Sequence, residues 1–320
     1  LRNDGILPLA KKGVRYAVIG PNAADSVVLN GNYNGTPRSS VTALKGIIAK
    51  VGAGNITDNA AEADVVIYVG GISPRYEGEE MRYDKAVEGF DKGDRTTIEF
   101  PKDQRAEIAA LHKSGKRIVL VNMSGSAVAM LPETENCDAI LQAWYSGEAG
   151  GTAIADVLFG DYNPAGRLPV TFYRSDSDLP DFNLYDMADR TYRYFKGQPL
   201  WEFGYGLSYT TFKYGRPRFS NGNLTVSVKN TGKMDGDEVV QVYVKKDEDV
   251  NGPKMALRGF RRVHIKAGQS VKVTIPLDVN AFKTYDEASG EMAATPGHFT
   301  VYCGPSSDLN RLRSISIIRK

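Results

Sequence analysis

Val65-Val66-Ile67-Tyr68-Val69-Gly70-Gly71 is the stretch on which the fold turns. Five apolar residues follow one another without a polar interruption, and two glycines close the run. A strand with one wet face alternates apolar with polar residues. A strand covered on both faces does not, so this run predicts a parallel strand inside an α/β sheet. Outward from it, Tyr16-Ala17-Val18-Ile19 is a second short apolar run, stopped by Gly20-Pro21-Asn22. Ile118-Val119-Leu120-Val121 and Ala139-Ile140-Leu141-Gln142-Ala143-Trp144 are two more. Helical signals lie between them. Val41 to Lys50 predicts a helix with Ser39 or Ser40 as its N-cap. Asp103 is expected to cap a helix running through Lys113, with Ile108 and Leu111 on one face and Gly115 as the terminating glycine. Gly151 to Phe159 reads as a further helix carrying Ile154, Val157 and Leu158 on one side. Strands alternating with helices imply a mostly parallel sheet with helices on its faces.

The pattern changes after about Gly166. Tyr192, Tyr194, Phe195, Trp201, Phe203, Tyr205, Tyr209 and Phe212 crowd a stretch with little periodicity. A free linker would be polar, so these aromatics are expected to pack on domain surfaces. Beyond it the period becomes two. Leu224, Val226 and Val228 share one face, as do Val271, Val273 and Ile275, and Phe299, Val301 and Cys303. Asn221-Gly222, Asp235-Gly236 and Asn251-Gly252 supply turns between such runs, and the set predicts an all-β sandwich. The expected organisation is an α/β domain over 1–170, an aromatic-rich linker over 171–215 and a β-sandwich over 216–320.

Composition narrows the function classes. Of 320 residues 42% are hydrophobic and 24% charged, with a net charge of +2. That balance gives no field that would draw nucleic acid or an anionic membrane. No apolar run approaches the roughly 20 residues of a membrane span. Cys137 and Cys303 are expected to be buried free thiols, and no Cys/His spacing supports a zinc site. The opening Leu1-Arg2-Asn3-Asp4-Gly5-Ile6-Leu7-Pro8-Leu9 reads as an extended linker with no signal-peptide pattern, and a segment upstream of it is expected.

The chemistry points to Glu77-Gly78-Glu79-Glu80, just past the decisive strand and ahead of Gly93-Asp94-Arg95-Thr96. A triple-Glu cluster is, taken alone, a solvated acidic loop. This one follows a buried strand through Gly70-Gly71, and Arg75, Arg82 and Arg95 are near enough in sequence to orient a carboxylate. A loop at the carboxyl end of an α/β strand is where such folds meet substrate, and a carboxyl there is suited to general acid work. Cleaving a glycosidic bond usually takes two carboxyl groups, and no convincing second one is found. Other chemistries are poorly supported. Ser124-Gly125-Ser126 follows Asn122 and fails the Gly-x-Ser-x-Gly elbow. His112, His264 and His298 lie in no site-forming loop. Gly20-Pro21-Asn22 is no dinucleotide fingerprint. Asn32-Tyr33-Asn34-Gly35-Thr36-Pro37 is either a surface turn or a substrate-facing rim whose ring and amides would suit a sugar.

Together these segments resemble glycoside hydrolase family 3 over nearly the whole chain. Ala139 to Gly147, Gly150-Gly151-Thr152-Ala153, and Phe159-Gly160-Asp161-Tyr162-Asn163-Pro164-Ala165-Gly166-Arg167-Leu168-Pro169 look like hallmarks of the family. Thr191-Tyr192-Arg193-Tyr194 and Phe203-Gly204-Tyr205-Gly206-Leu207-Ser208-Tyr209 follow in the family's order. Val228-Lys229-Asn230-Thr231-Gly232 and Leu257-Arg258-Gly259-Phe260 are similar to its fibronectin type III-like domain. The first nine residues resemble the linker after the family's catalytic barrel. The loop Gly31 to Pro37 resembles the β-xylosidase branch more than the β-glucosidase branches, although Arg38 stands where a Cys often follows the Pro.

The resemblance implies an α/β sandwich followed by a fibronectin type III-like β-sandwich, together the C-terminal part of a retaining, exo-acting β-glycosidase. A (β/α)8 barrel absent from this chain would supply the nucleophile Asp. By the same resemblance Glu77, six positions past Gly71, is the acid/base, with Glu79 or Glu80 as fallbacks. Asp94 and Arg95 look like support for its loop, and Tyr33 and Arg75 are candidate substrate-binding residues. Oligosaccharide is the implied ligand, xylose-based before glucose-based. No metal or organic cofactor is implied, and a periplasmic or secreted location is expected from polysaccharide breakdown. On this reading the chain by itself is inactive. A non-catalytic, carbohydrate-binding or interaction protein on the same folds is the alternative.

Overall fold

A computed structural model describes residues 1–31, 35–76, 87–286 and 288–320. Tyr33, Glu77, Glu79 and Glu80 lie outside the described residues. The chain divides into two compact units that interleave in sequence. The first is Leu1–Tyr162 with Tyr173–Asp178, and the second is Asn163–Phe172 with Leu179–Lys320.

In the first unit β1 (Arg2–Asn3), β2 (Tyr16–Ile19), β3 (Ile56–Thr57) and β4 (Val65–Gly71) precede a small hairpin, β5 (Phe90–Asp91) with β6 (Asp94–Arg95). Then come β7 (Arg117–Met123) and β8 (Ala139–Gln142). The main sheet runs β1-β8-β7-β4-β2-β3. Every pairing in it is parallel except that of β1 with β8. All seven residues of β4 are buried, as the unbroken apolar run requires.

Helices α1 (Ala43–Val51), α2 (Lys102–Lys113), α3 (Leu131–Asn136) and α4 (Gly150–Leu158) connect and cover the strands. The crossover from β2 to β3 and that from β4 to β7 travel in opposite directions along the sheet. Right-handed connections then place α1 and α2 on opposite faces. α1 packs with α4, and α2 with α3. Tyr16, Ile47, Ile67, Tyr68, Phe100, Ile108 and Ile118 are buried in this unit's core.

Helix starts differ from the sequence expectation. α1 is capped by Thr42, whose Oγ1 accepts the Lys45 N–H at 3.3 Å, and neither Ser39 nor Ser40 is the cap. Val41 stays outside the helix: its N–H donates to the Glu148 carbonyl and its own carbonyl accepts the Gly151 N–H, both at 2.8 Å. α2 begins at Lys102 behind Pro101, so Asp103 lies inside the first turn, where its charge favours the helix dipole. The far end of α2 is as expected. Gly115 takes φ +81°, its N–H donates to the His112 carbonyl at 2.9 Å, and Lys116 N–H donates to Leu111 at 3.2 Å. The last parallel strand stops at Gln142, short of Trp144, whose φ of +54° turns the chain away.

The second unit holds a sandwich of two antiparallel sheets. One contains β9 (Phe212–Tyr214), β10 (Arg218–Ser220), β11 (Asn223–Asn230) and β14 (Ser270–Pro276). The other orders β13 (Ala256–Ile265), β12 (Gly236–Lys246), β17 (Gly297–Gly304) and β18 (Arg313–Arg319). A short ribbon, β15 (Thr284–Asp286) with β16 (Glu291–Ala293), completes it. The alternation is read out directly: Leu224, Val226 and Val228 meet Val240, Val242, Val244, Phe299, Val301 and Cys303 in one core. Each large apolar side chain so removed from water contributes about 1.5–3 kcal/mol. Asn221 and Gly222 both take positive φ and join β10 to β11, the geometry a two-residue hairpin favours.

Both cysteines are free and buried. Burial pushes the Cys303 thiol up to about 12 and the Cys137 thiol higher still, so both behave as small hydrophobes. Several linker aromatics pack inside this unit: Tyr192 stacks on Phe203 at 4.5 Å, and both rings flank Tyr243. Among the described residues no helix is long and apolar enough to cross a membrane.

Candidate functional site

The parallel strands share a carboxyl edge, and their order reverses between β2 and β4. Doubly wound sheets bind ligands at such a switch point. Here the two strand ends are pinned together. Asn22 N–H donates to the Val69 carbonyl at 3.0 Å, and Gly20 approaches so closely that a Cβ would lie 2.5 Å from that same oxygen. Just outside, Arg75 Nη2 reaches Asp25 Oδ1 at 3.4 Å across the switch point. The Arg75 side chain is 56% exposed, so this contact orients more than it stabilises.

Residues 77–86 are entered and left through two described stems. The incoming stem leaves β4 at Gly71, where φ is +111° and a side chain would collide with the Met123 carbonyl. Gln104 of α2 pairs with Gly71 on both sides: Gly71 N–H donates to Oε1 at 2.8 Å, and Nε2 donates to the Gly71 carbonyl at 2.9 Å. Ile72 N–H then donates to the Met123 carbonyl at 2.8 Å, and Tyr145 Oη donates to the Ile72 carbonyl at 2.9 Å. The Tyr145 ring fills the space beside Gly31 and Gly125.

The outgoing stem is the β5–β6 hairpin and the residues after it. Lys92 and Gly93 turn it with positive φ. Arg95 Nη1 donates to Ser126 Oγ at 2.9 Å and to the Ala127 carbonyl at 3.2 Å, tying the hairpin to the loop after β7. Ala129 N–H donates to the Ile98 carbonyl at 2.7 Å, and Phe100 N–H to the Ala129 carbonyl at 3.1 Å. Below lies an ion network. Arg105 forks onto Glu133 at 2.8 and 3.2 Å and reaches Glu99 at 3.0 Å. The Glu133 side chain is fully buried. Burial pushes its carboxyl up, and the Arg105 guanidinium pulls against that rise.

A cavity of about 820 Å³ opens between this stem and the start of α2. Tyr76, Phe90, Arg95 and Phe100 are among its walls, and the Tyr76 and Phe90 rings stand 6.3 Å apart.

Of the residues singled out in the sequence, Arg75 and Arg95 are thus at this edge, one on each stem. Ser124 is committed to structure: it is buried, donates to the Ser126 carbonyl at 2.9 Å and accepts from Asn122 and Gln142 at 3.2 Å each. His264 and His298 sit on the second unit beside Asp237 and Glu248, each at 2.7 Å. Among the described residues no group of three or more His, Cys, Asp or Glu side chains is placed to hold a metal ion. Sequence reasoning missed Gln104, because it acts on backbone atoms that only the fold brings near.

The profile of the glycosyl hydrolase family 3 C-terminal domain matches residues 1–209, and that of a fibronectin type III-like domain matches residues 238–307. A xylan 1,4-β-xylosidase of Xylanibacter ruminicola is 48% identical over 79% of this chain and 30% of its own length. A periplasmic β-glucosidase of Salmonella typhimurium is 35% identical over 94% of this chain and 46% of its own length. Among solved structures, a β-glucosidase from Erythrobacter marinus superposes with a TM-score of 0.82 at 31% identity, covering 99% of this chain and 48% of that one. The chain therefore spans less than half the length of these relatives.

Proposed function

The chain belongs to glycosyl hydrolase family 3, and on that premise we propose that it is the acid/base-bearing C-terminal part of a retaining, exo-acting β-glycosidase. The observation that carries this reading is the pair of clamped stems. They lie in sequence on either side of residues 77–86; the incoming one leaves β4 beside the switch point and the outgoing one is tied to the loop after β7.

In the mechanism proposed, an Asp on a barrel outside this chain attacks the anomeric carbon. Glu77, protonated, donates to the departing glycosidic oxygen. It then takes a proton from the water that opens the glycosyl-enzyme, and the two carboxyl groups stand about 5–5.5 Å apart. Arg75 and Tyr33 are proposed to contact the sugar. Xylose-terminated oligosaccharide is the proposed substrate, supported by the 48% identity to a xylan 1,4-β-xylosidase. Glucose-terminated substrate is the second reading, supported by the similarity to two β-glucosidases. A periplasmic or secreted location is proposed, in line with the periplasmic relative.

The test is Glu77→Ala in the full-length enzyme, assayed on aryl β-xylosides and aryl β-glucosides. Loss of general acid catalysis predicts a fall of roughly 10²–10⁴-fold on substrates whose leaving group needs a proton. Retained activity in Glu77→Ala, with loss in Glu79→Ala or Glu80→Ala, would move the proton donor to that neighbour.

A further inference from the structure

We propose that Asp176 is a positioning residue for the proton donor, holding in place the stem that follows residues 77–86; the inference rests on the reading of Glu77 given above. The stem that leaves residues 77–86 ends in Thr97-Ile98-Glu99, and Asp176 is bonded to all three. Its Oδ2 accepts from Thr97 Oγ1 at 2.6 Å, and its Oδ1 accepts the Ile98 N–H at 2.7 Å. Its own N–H donates to Glu99 Oε1 at 3.2 Å.

From Glu99 the tie continues inward, through Arg105 to the buried Glu133. One end of this series is a fixed carboxylate in the core, and the other is the stem itself. Asp176 comes from the short stretch Tyr173–Asp178, which belongs to the first unit although it lies beyond Tyr162. It lies 79 residues along the chain from Thr97.

The side chain is exposed, so its bonds contribute little to stability. Their value lies in placement. A general acid works only within hydrogen-bond reach of the oxygen it protonates. Misplacement by about 1 Å through a mutation remote from the chemistry costs on the order of 10²-fold in rate.

The experiment uses the full-length enzyme and two glycosides of whichever sugar, xylose or glucose, it turns over faster. The 2,4-dinitrophenyl glycoside departs without a proton, and the unsubstituted phenyl glycoside needs one. Asp176→Ala removes both acceptors. Asp176→Asn keeps an acceptor for Ile98 and an amide to face Thr97. Glu77→Ala is run beside them.

Asp176→Ala is expected to lower kcat/KM on the phenyl glycoside by about tenfold or more and to leave the dinitrophenyl glycoside nearly unchanged. Tm should hardly move, and Asp176→Asn should recover most of the loss. Equal losses on both glycosides, or no loss on either, would overturn the proposal while leaving Glu77 in place. If Glu77→Ala itself shows no dependence on the leaving group, the acid/base reading falls and this proposal falls with it.

Discussion

Arg167 and Glu238 meet at 2.7 Å with side chains only 7% and 2% exposed. Tyr214 Oη donates to the other Glu238 oxygen at 2.7 Å. Burial pushes the Glu238 carboxyl up, and Arg167 and Tyr214 pull it back. Removing one partner would leave a buried charge alone, so Arg167→Met is expected to cost about 3–5 kcal/mol by urea unfolding, and Arg167→Met with Glu238→Leu to recover most of it. Glu248 is the opposite case, at the surface. It accepts the His298 backbone N–H at 2.8 Å and pairs with the ring Nδ1 at 2.7 Å. The backbone bond first, then the ring, hold its carboxyl down at about 2, against an ordinary 4.5. A depressed folded-state value means that the unfolded chain binds the proton more readily. The stabilisation is therefore complete above about pH 4.5 and disappears as the pH falls towards 2. Tm measured across that window should fall less steeply in Glu248→Gln than in the parent. Neither role was legible in the sequence. Glu238 stands in phase with Val240, Val242 and Val244 on the inward face, but nothing in the alternation announces Arg167 as its partner.

Between elements, the contact of α1 with α4 shows why a motif can be recognised before it is understood. A methyl group on Gly151 would collide with the Thr42 carbonyl, and one on Gly46 with the Gly151 carbonyl. The helices meet backbone to backbone, and Gly151 lies within the Gly150-Gly151-Thr152-Ala153 segment quoted from the sequence. Gly151→Ala must push α1 away or distort the start of α4. A loss of about 1–3 kcal/mol is expected, read as a lower urea midpoint with an unchanged slope. The strands were legible because their burial leaves a period that residue types record. Helix starts were not, since Val41 is held out of α1 by bonds to Glu148 and Gly151, far along the chain. The stems show the same division. Gly70-Gly71 and Arg95 are visible as local signals, whereas Gln104 and Tyr145 act on backbone carbonyls and amides that the sequence does not bring together.

For the whole molecule, the expected outcome is silence. Residues 1–320 alone should hydrolyse neither aryl β-xyloside nor aryl β-glucoside, while the full-length enzyme turns over at least one of them. Turnover by the isolated chain would mean that both carboxyl groups lie within it. The order of α/β before β-sandwich was legible from the change in hydrophobic period. The interleaving of the two units was not, because no residue type marks a chain that returns to the first unit for Tyr173–Asp178 before continuing into the second. That return has a consequence for descent. No single junction parts the two units cleanly, so a one-crossover chimaera between diverged homologues joins Asp176 from one parent to Thr97, Ile98 and Glu99 from the other, or else splits the second unit between them. Recombination that keeps these bonds and both units whole therefore has to carry the sheet, Tyr173–Asp178 and the sandwich as one block.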